Sequence, residues 1–180
     1  MFYKTDRISL RQVEPSDAQL IYKWENDTSV WNVSDTIAPY SHYQIEQFIL
    51  NSSDIYTSKQ IRLMIDCIDN QEPFAIGAID IYDFDPQHHR AGVGIILEAS
   101  QRQKGYANEA LDLLEKYCFT FLGLHQLYCF IAAQNSQSIS LFTKRGYILS
   151  GTRKDWLLLD GKWTDQLHFQ LINPKTLIQD

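Results

Sequence analysis

The strongest constraint on how this chain can fold is a strand, a glycine turn and a long amphipathic helix in immediate succession. The apolar run Ala91–Leu97 leads through Glu98-Ala99-Ser100-Gln101 into Arg102-Gln103-Lys104-Gly105-Tyr106-Ala107. From there to Leu122, Ala107, Ala110, Leu111, Leu114, Cys118 and Phe121 recur at steps of three and four. That spacing predicts one apolar stripe on a helix laid against a sheet, with Gly123 as its C-cap. A glycine turn at a helix start also exposes successive backbone N–H groups beside the helix's positive end. This geometry binds anionic oxygens without a cationic side chain. Gly105 would let a ligand approach the backbone closely, and small Ala107 would let the first helical turn pack beside it. A plain strand-to-helix connection is the competing reading of the hexapeptide taken alone.

The flanking segments fill in the architecture. Ile8, Leu10 and Gln12 alternate as a short strand that Glu14-Pro15-Ser16 stops. Ser16 with Gln19 reads as a capping box opening a helix through about Glu25, and a second helix is expected over Tyr43–Leu50. Three strands are expected at Ile61–Ile68, Phe74–Tyr82 and Ala91–Leu97, the first two joined by the polar turn Asp69–Pro73. After the long helix come a strand at Gln126–Ala132 and a short helix at Ser136–Lys144 closed by Gly146. Strands Ile148–Leu159 and Trp163–Leu171 are then joined by the hairpin signal Asp160-Gly161. The order β-α-α-β-β-β-α-β-α-β-β implies a mixed sheet with helices on both faces. Residues 1–180 read as a single domain, with no repeat or Pro/Gly-rich linker.

Composition removes several function classes. The net charge of −6 and the lack of a Lys/Arg cluster speak against a nucleic-acid partner. No apolar run approaches the roughly 18 residues of a membrane span, and Met1–Arg7 has no apolar signal region. Cys67, Cys118 and Cys129 form an odd set without Cys-x-x-Cys spacing, which argues against a disulfide framework or zinc site and for a reducing, cytoplasmic setting. His88-His89 reads as a turn rather than a metal site, and no metal is expected.

Two separated segments carry a family resemblance. Arg-x-x-Gly-x-Ala after this strand resembles the pyrophosphate loop of the GNAT acetyltransferase superfamily. Asn135 through Tyr147, with Asn at its head and Gly146-Tyr147 at its end, resembles that superfamily's second cofactor segment. The likeness spans about residues 8–172. Trp24-Glu25-Asn26-Asp27 and Asp160–Asp165 are most similar to the branch of ribosomal-protein N-terminal and spermidine (diamine) acetyltransferases. The resemblance implies an α/β (α+β) fold with a mixed, largely antiparallel sheet of six to seven strands and helices on both faces. It also implies acetyl-coenzyme A as co-substrate and a small-molecule amine or protein N-terminus as acceptor. No membrane partner is expected, from the lack of an apolar span. Homo-oligomer formation is left open.

The chemistry then assigns roles. Transfer from a thioester to an amine needs no protein nucleophile, which fits the missing Ser or Cys elbow. By resemblance, backbone groups of Ile95, Ile96 and Leu97 line the pantetheine arm and acetyl group, where one N–H aimed at the carbonyl is typically worth ~10²–10³ in rate. Arg102, Gln103, Lys104, Gly105, Tyr106, Ala107 and Asn108 form the phosphate turn, and Asn135, Phe142 and Lys144 belong to the second cofactor segment. Asn135 has a second reading as N-cap of its helix.

An alkyl ammonium with a pKa of about 10.4 must lose a proton before attack. The superfamily's usual carboxylate position early on the cofactor strand holds Ala91 and Gly92, leaving Asp80, Asp83 and Glu98 nearby, or a water chain. Asp80 and Glu98 are the candidate catalytic carboxylates, with solvated surface acids as the alternative. Where relatives carry a tyrosine to protonate the leaving thiolate, this chain has Phe142, which reads as a core anchor. Water or Tyr106 is left as substitute. Trp24, Trp31, Tyr40 and Tyr43 with Glu25, Asp27 and Asp35 are candidates for an amine-binding lip. The leading expectation is an N-acetyltransferase acting on a polyamine or a protein N-terminus. The alternative is a module that binds coenzyme A thioesters with little or no turnover.

Overall fold

Along the chain run β1 (Tyr3–Lys4), β2 (Ile8–Gln12), a 3-10 turn at Pro15–Asp17, α1 (Ala18–Glu25), α2 (His42–Asn51) and α3 (Ile55–Ser58). There follow β3 (Ile61–Cys67), β4 (Phe74–Asp85), β5 (Arg90–Leu97), a 3-10 turn at Ala99–Gln101, α4 (Tyr106–Lys116) and a π-helical turn at Tyr117–Phe121. The chain ends in β6 (Gln126–Ala132), α5 (Ser136–Lys144), β7 (Ile148–Leu159) and β8 (Lys162–Ile172). The computed structural model describes residues 3–28, 38–51, 54–69 and 72–174.

The chain divides into two compact units, the first drawn from Met1–Glu14, Asn51–Leu127 and Ile172–Asp180. In this unit the strand order is β1-β2-β3-β4-β5, and each neighbouring pair is antiparallel. Leu63 through Cys67 are buried without alternation, so both faces of the sheet are covered there. The stripe of α4 closes on the strands with Ala110, Leu111 and Leu114 at 0 % exposure, among Ile8, Leu10, Met64 and Ile76.

The second unit holds Pro15–Leu50 and Tyr128–Leu171. Its core gathers Ile21 and Trp24 from α1, Ile45 and Ile49 from α2, and Phe142, Tyr147 and Phe169. Here the strand order is β6-β8-β7. Asp160 and Gly161 both take positive φ, 49° and 74°, the pairing a type I′ hairpin requires.

The structure has the expected fold class with eight strands among the described residues, not six to seven. The addition is β1, whose two residues are too few to show periodicity. Two helix boundaries also move. The Ser16/Gln19 pattern does not cap α1, whose N-cap is Asp17 without a side-chain capping bond. A capping box closes instead on α2, where the Ser41 N–H donates to Gln44 Oε1 at 2.8 Å and the Gln44 N–H to Ser41 Oγ at 3.2 Å. The helix expected to reach Leu122 stays α-helical only to Lys116, then widens until the Leu122 N–H reaches the Tyr117 carbonyl at 3.1 Å. The short helix α3 was missed. Asp54 caps it, accepting from the Tyr56 N–H at 2.9 Å and the Thr57 hydroxyl at 2.6 Å.

Candidate active site

In the first unit, β5 delivers the chain to the glycine turn. Glu98 ends the strand, its N–H donating to the Ile76 carbonyl at 2.9 Å while its own carbonyl accepts from the Gln101 N–H at 2.9 Å. Gly77, opposite Leu97, is required there, because a Cβ would meet the Ile96 carbonyl oxygen at 2.2 Å. Ile95 and Ile96 are half-buried and Leu97 is buried.

The turn itself is exposed from Arg102 through Gly105. Arg102 folds back to brace it, donating from Nε to the Leu97 carbonyl at 3.1 Å. Lys104 Nζ donates to Gln101 Oε1 at 2.9 Å. Gln103 takes a φ of 61° and Gly105 a φ of 90°, a left-handed pair that turns the chain into α4. The first helical N–H groups to find carbonyls are those of Asn108 and Glu109, both onto Gly105. The N–H groups of Gly105, Tyr106 and Ala107 therefore lie at the open end of the helix, the arrangement that takes phosphate oxygens. Asn108 is exposed beside them.

Sequence reading missed the support beneath this turn. The Arg7 guanidinium, 102 residues away from its partner in sequence, is ion-paired with Glu109 in the first turn of α4. Tyr106 is 6 % exposed and points its hydroxyl inward, donating to Asp69 Oδ2 at 3.5 Å and lying 3.7 Å from Cys67 Sγ. The hydrogen bond with Cys67, with burial second, pushes the Tyr106 hydroxyl up to about 12. That phenol holds its proton tightly, which disfavours it as acid for a leaving thiolate. Burial also pushes the Cys118 and Cys129 thiols up, the latter to about 12, so neither is a thiolate nucleophile at neutral pH.

Of the candidate carboxylates, Asp80 lies opposite Arg62 in the β3–β4 ladder. Both its oxygens are held by that guanidinium, at 2.7 Å from Nε and 2.9 Å from the second nitrogen. Glu98 is half-buried at the end of β5.

The second unit carries the other predicted residues. Asn135 is the N-cap of α5, its Oδ1 accepting from the Ser138 N–H at 3.1 Å. The cap reading is therefore met, and Nδ2 is the group it can still offer a ligand. Phe142 is 3 % exposed and packs edge-on against Tyr147, ring centroids 4.9 Å apart. Lys144 is exposed in the last turn of α5. In the lip segment Trp24 is buried while Tyr40 and Tyr43 are exposed. Trp31 and Asp35 lie outside the described residues. His88 and His89 form a turn, as expected, with Asp85 Oδ1 accepting from the His88 N–H at 3.0 Å.

Comparison with known proteins follows the same lines. Residues 7–148 match the family described as Acetyltransferase (GNAT) domain. The spermidine N(1)-acetyltransferase of Escherichia coli strain K12 is 23 % identical over 172 residues, 96 % of this chain and 89 % of that protein. A crystal structure of spermidine N-acetyltransferase from Vibrio cholerae in complex with CoA and spermine superposes with a TM-score of 0.84 at 22 % identity, covering 96 % of this chain and 99 % of that one. A dodecameric structure of the Vibrio cholerae enzyme in an intermediate state gives 0.79 at 22 % identity, covering 98 % and 99 %. The chain belongs to the GNAT acetyltransferase family, the N-acetyltransferases that draw their acetyl group from acetyl-coenzyme A.

Proposed function

We propose that this N-acetyltransferase acetylates a polyamine of the spermidine or spermine class. The observation that carries the reading is the end-to-end match to spermidine N(1)-acetyltransferase, over 96 % of this chain. The acidic balance of the chain supports it, as do the carboxylates Glu25 and Asp27, which flank Asn26 at the end of α1, where the Asn26 amide bonds the Tyr40 backbone. The Gly105–Ala107 N–H groups hold the diphosphate of acetyl-coenzyme A, and the backbone of Ile95–Leu97 holds the arm and thioester.

In the reaction the neutral amine nitrogen attacks the thioester carbon, the C–S bond breaks, and the amine's proton leaves to solvent. With Asp80 bound on both oxygens by Arg62, Glu98 is the carboxylate proposed to relay that proton through water. The leaving thiolate, of pKa about 8.5, takes its proton from water. The enzyme is proposed to work in the cytoplasm, where its three buried cysteines stay reduced. Exposed Ile148, Leu149, Trp156, Leu158 and Trp163 on β7 and β8, and the dodecameric Vibrio relative, support a homo-oligomer.

Thiol release from acetyl-coenzyme A against spermidine, spermine, aminoglycosides and peptides with free N-termini tests the acceptor. Polyamines should give the highest kcat/KM. Release with the peptides alone would overturn the polyamine assignment.

A further inference from the structure

We propose that Arg7 is a positioning residue for the phosphate turn, neutralising Glu109 and clamping residues 104–106 so that the helix end can accept the cofactor's diphosphate. The inference rests on the reading of that turn as the diphosphate site. Arg7 is itself fixed: its carbonyl accepts from the Ile68 N–H at 2.8 Å, and its N–H donates to Thr5 Oγ1 at 3.1 Å. From there its guanidinium reaches four residues of the turn and helix. Nε donates to Glu109 Oε1 at 2.8 Å, and one terminal nitrogen donates to the Lys104 carbonyl at 3.2 Å. The guanidinium carbon lies 4.9 Å from the centroid of the Tyr106 ring. The other terminal nitrogen sits 3.1 Å from where a Cβ on Gly105 would be. Thr5 completes the set by donating to Glu109 Oε2 at 2.7 Å.

The electrostatics give this arrangement a purpose beyond cohesion. Glu109 stands in the first turn of α4, where a carboxylate satisfies the helix dipole and so competes with any anion for it. An unpaired Glu109 would oppose a diphosphate at the same helix end. Paired with Arg7 it holds the turn without adding net charge, and the three free N–H groups stay available to the ligand.

Steady-state kinetics with two donors separates this role from general stability. S-Acetylpantetheine carries the thioester and arm of acetyl-coenzyme A but no diphosphate. Wild-type enzyme should show a much lower KM for acetyl-coenzyme A than for the short donor. Arg7→Gln should raise the KM for acetyl-coenzyme A about tenfold, leaving kcat and the KM for S-acetylpantetheine within about twofold. Arg7→Lys, which keeps the charge but not the fork, should fall between. The double variant Arg7→Gln/Glu109→Gln should recover part of the loss because the opposing carboxylate is gone. Equal KM rises for both donors, or a double variant no better than Arg7→Gln, would overturn the proposal. A wild-type enzyme that does not distinguish the donors would instead overturn the diphosphate assignment of the turn, and this inference with it.

Discussion

Asn26 holds Tyr40 by two hydrogen bonds at once: its Nδ2 donates to the Tyr40 carbonyl at 3.0 Å, and its Oδ1 accepts from the Tyr40 N–H at 2.8 Å. The amide thereby fixes Tyr40 beside the end of α1, the segment that carries Glu25 and Asp27. Asn26→Ala removes both bonds, each worth about 1 kcal/mol net. The expected outcome is a rise of about five- to tenfold in KM for the acceptor amine with the KM for acetyl-coenzyme A unchanged. Initial rates with each substrate varied in turn check it, and a donor KM that rises equally would refute the amine-side placement.

Gly105 is the turn residue least able to carry a side chain. Its φ is 90°, and an added Cβ would stand 3.1 Å from the Arg7 guanidinium. Gly105→Ala should cost about 1–2 kcal/mol of stability through backbone strain. It should also weaken acetyl-coenzyme A, reducing the ligand's stabilisation of the folded state. Thermal melts with and without the cofactor measure both effects. An undiminished ligand shift in the variant would count against the turn as the diphosphate site.

Several elements were legible because they are local. The Gly105 turn, the Asn135 cap and the Asp160-Gly161 hairpin each declare themselves within a few residues. Gly146 and Tyr147 do likewise, one with a φ of 89° and the other 2 % exposed. What stayed hidden is contact between distant positions. Arg7 and Glu109 are 102 residues apart, and Tyr106 meets Cys67 across 39, so no window of sequence contains both partners. The pairing of Asp80 with Arg62 was hidden in the same way, because nothing local announces that Arg62 lies across the ladder from it. The Ser16/Gln19 misreading has another cause. Ser-x-x-Gln occurs before both α1 and α2, and backbone geometry, which spacing does not encode, decides which closes.

His168 supplies a pH dependence of stability. Burial, with Arg153 second, holds its imidazole below the usual value of about 6.5. Its ring stacks on Phe130 at 4.8 Å, and its Nδ1 lies 2.9 Å from the Ser150 hydroxyl. The folded state thus binds that proton less readily than the unfolded chain. The stabilisation is present above about pH 6.5 and lost as pH falls through the lower folded value. Melting temperatures from pH 8 to pH 5 should fall more steeply for wild type than for His168→Gln. Parallel curves would show that His168 does not contribute.

The two carboxylates proposed for different duties separate by stability and rate. Asp80→Asn removes the carboxylate that holds half-buried Arg62 by two bonds and should cost about 1–3 kcal/mol of stability with kcat/KM unchanged. Glu98→Gln should lower kcat/KM by about tenfold or more near neutral pH. A comparable loss of kcat/KM in Asp80→Asn would return the base to Asp80 and show that the Arg62 pair opens during turnover.

Phe142→Tyr asks whether the missing acid limits the rate. The ring is 3 % exposed and edge-on to Tyr147, so a hydroxyl added there enters a packed core. Without a partner it should cost about 1–3 kcal/mol, visible as a lower melting temperature. Coenzyme A leaves as a thiolate of pKa about 8.5, stable enough near neutral pH to need no donor in the transition state. The expected change in kcat is therefore less than about threefold, the size expected when proton transfer to sulfur is not limiting. A solvent isotope effect on kcat, measured beside the rate, distinguishes the cases. If the tyrosine variant runs more than tenfold faster and the isotope effect shrinks with it, proton delivery to sulfur is the slow step in the natural enzyme. Water would then be a poor stand-in for the phenol, and the packing of Phe142 against Tyr147 would have been kept at the expense of rate.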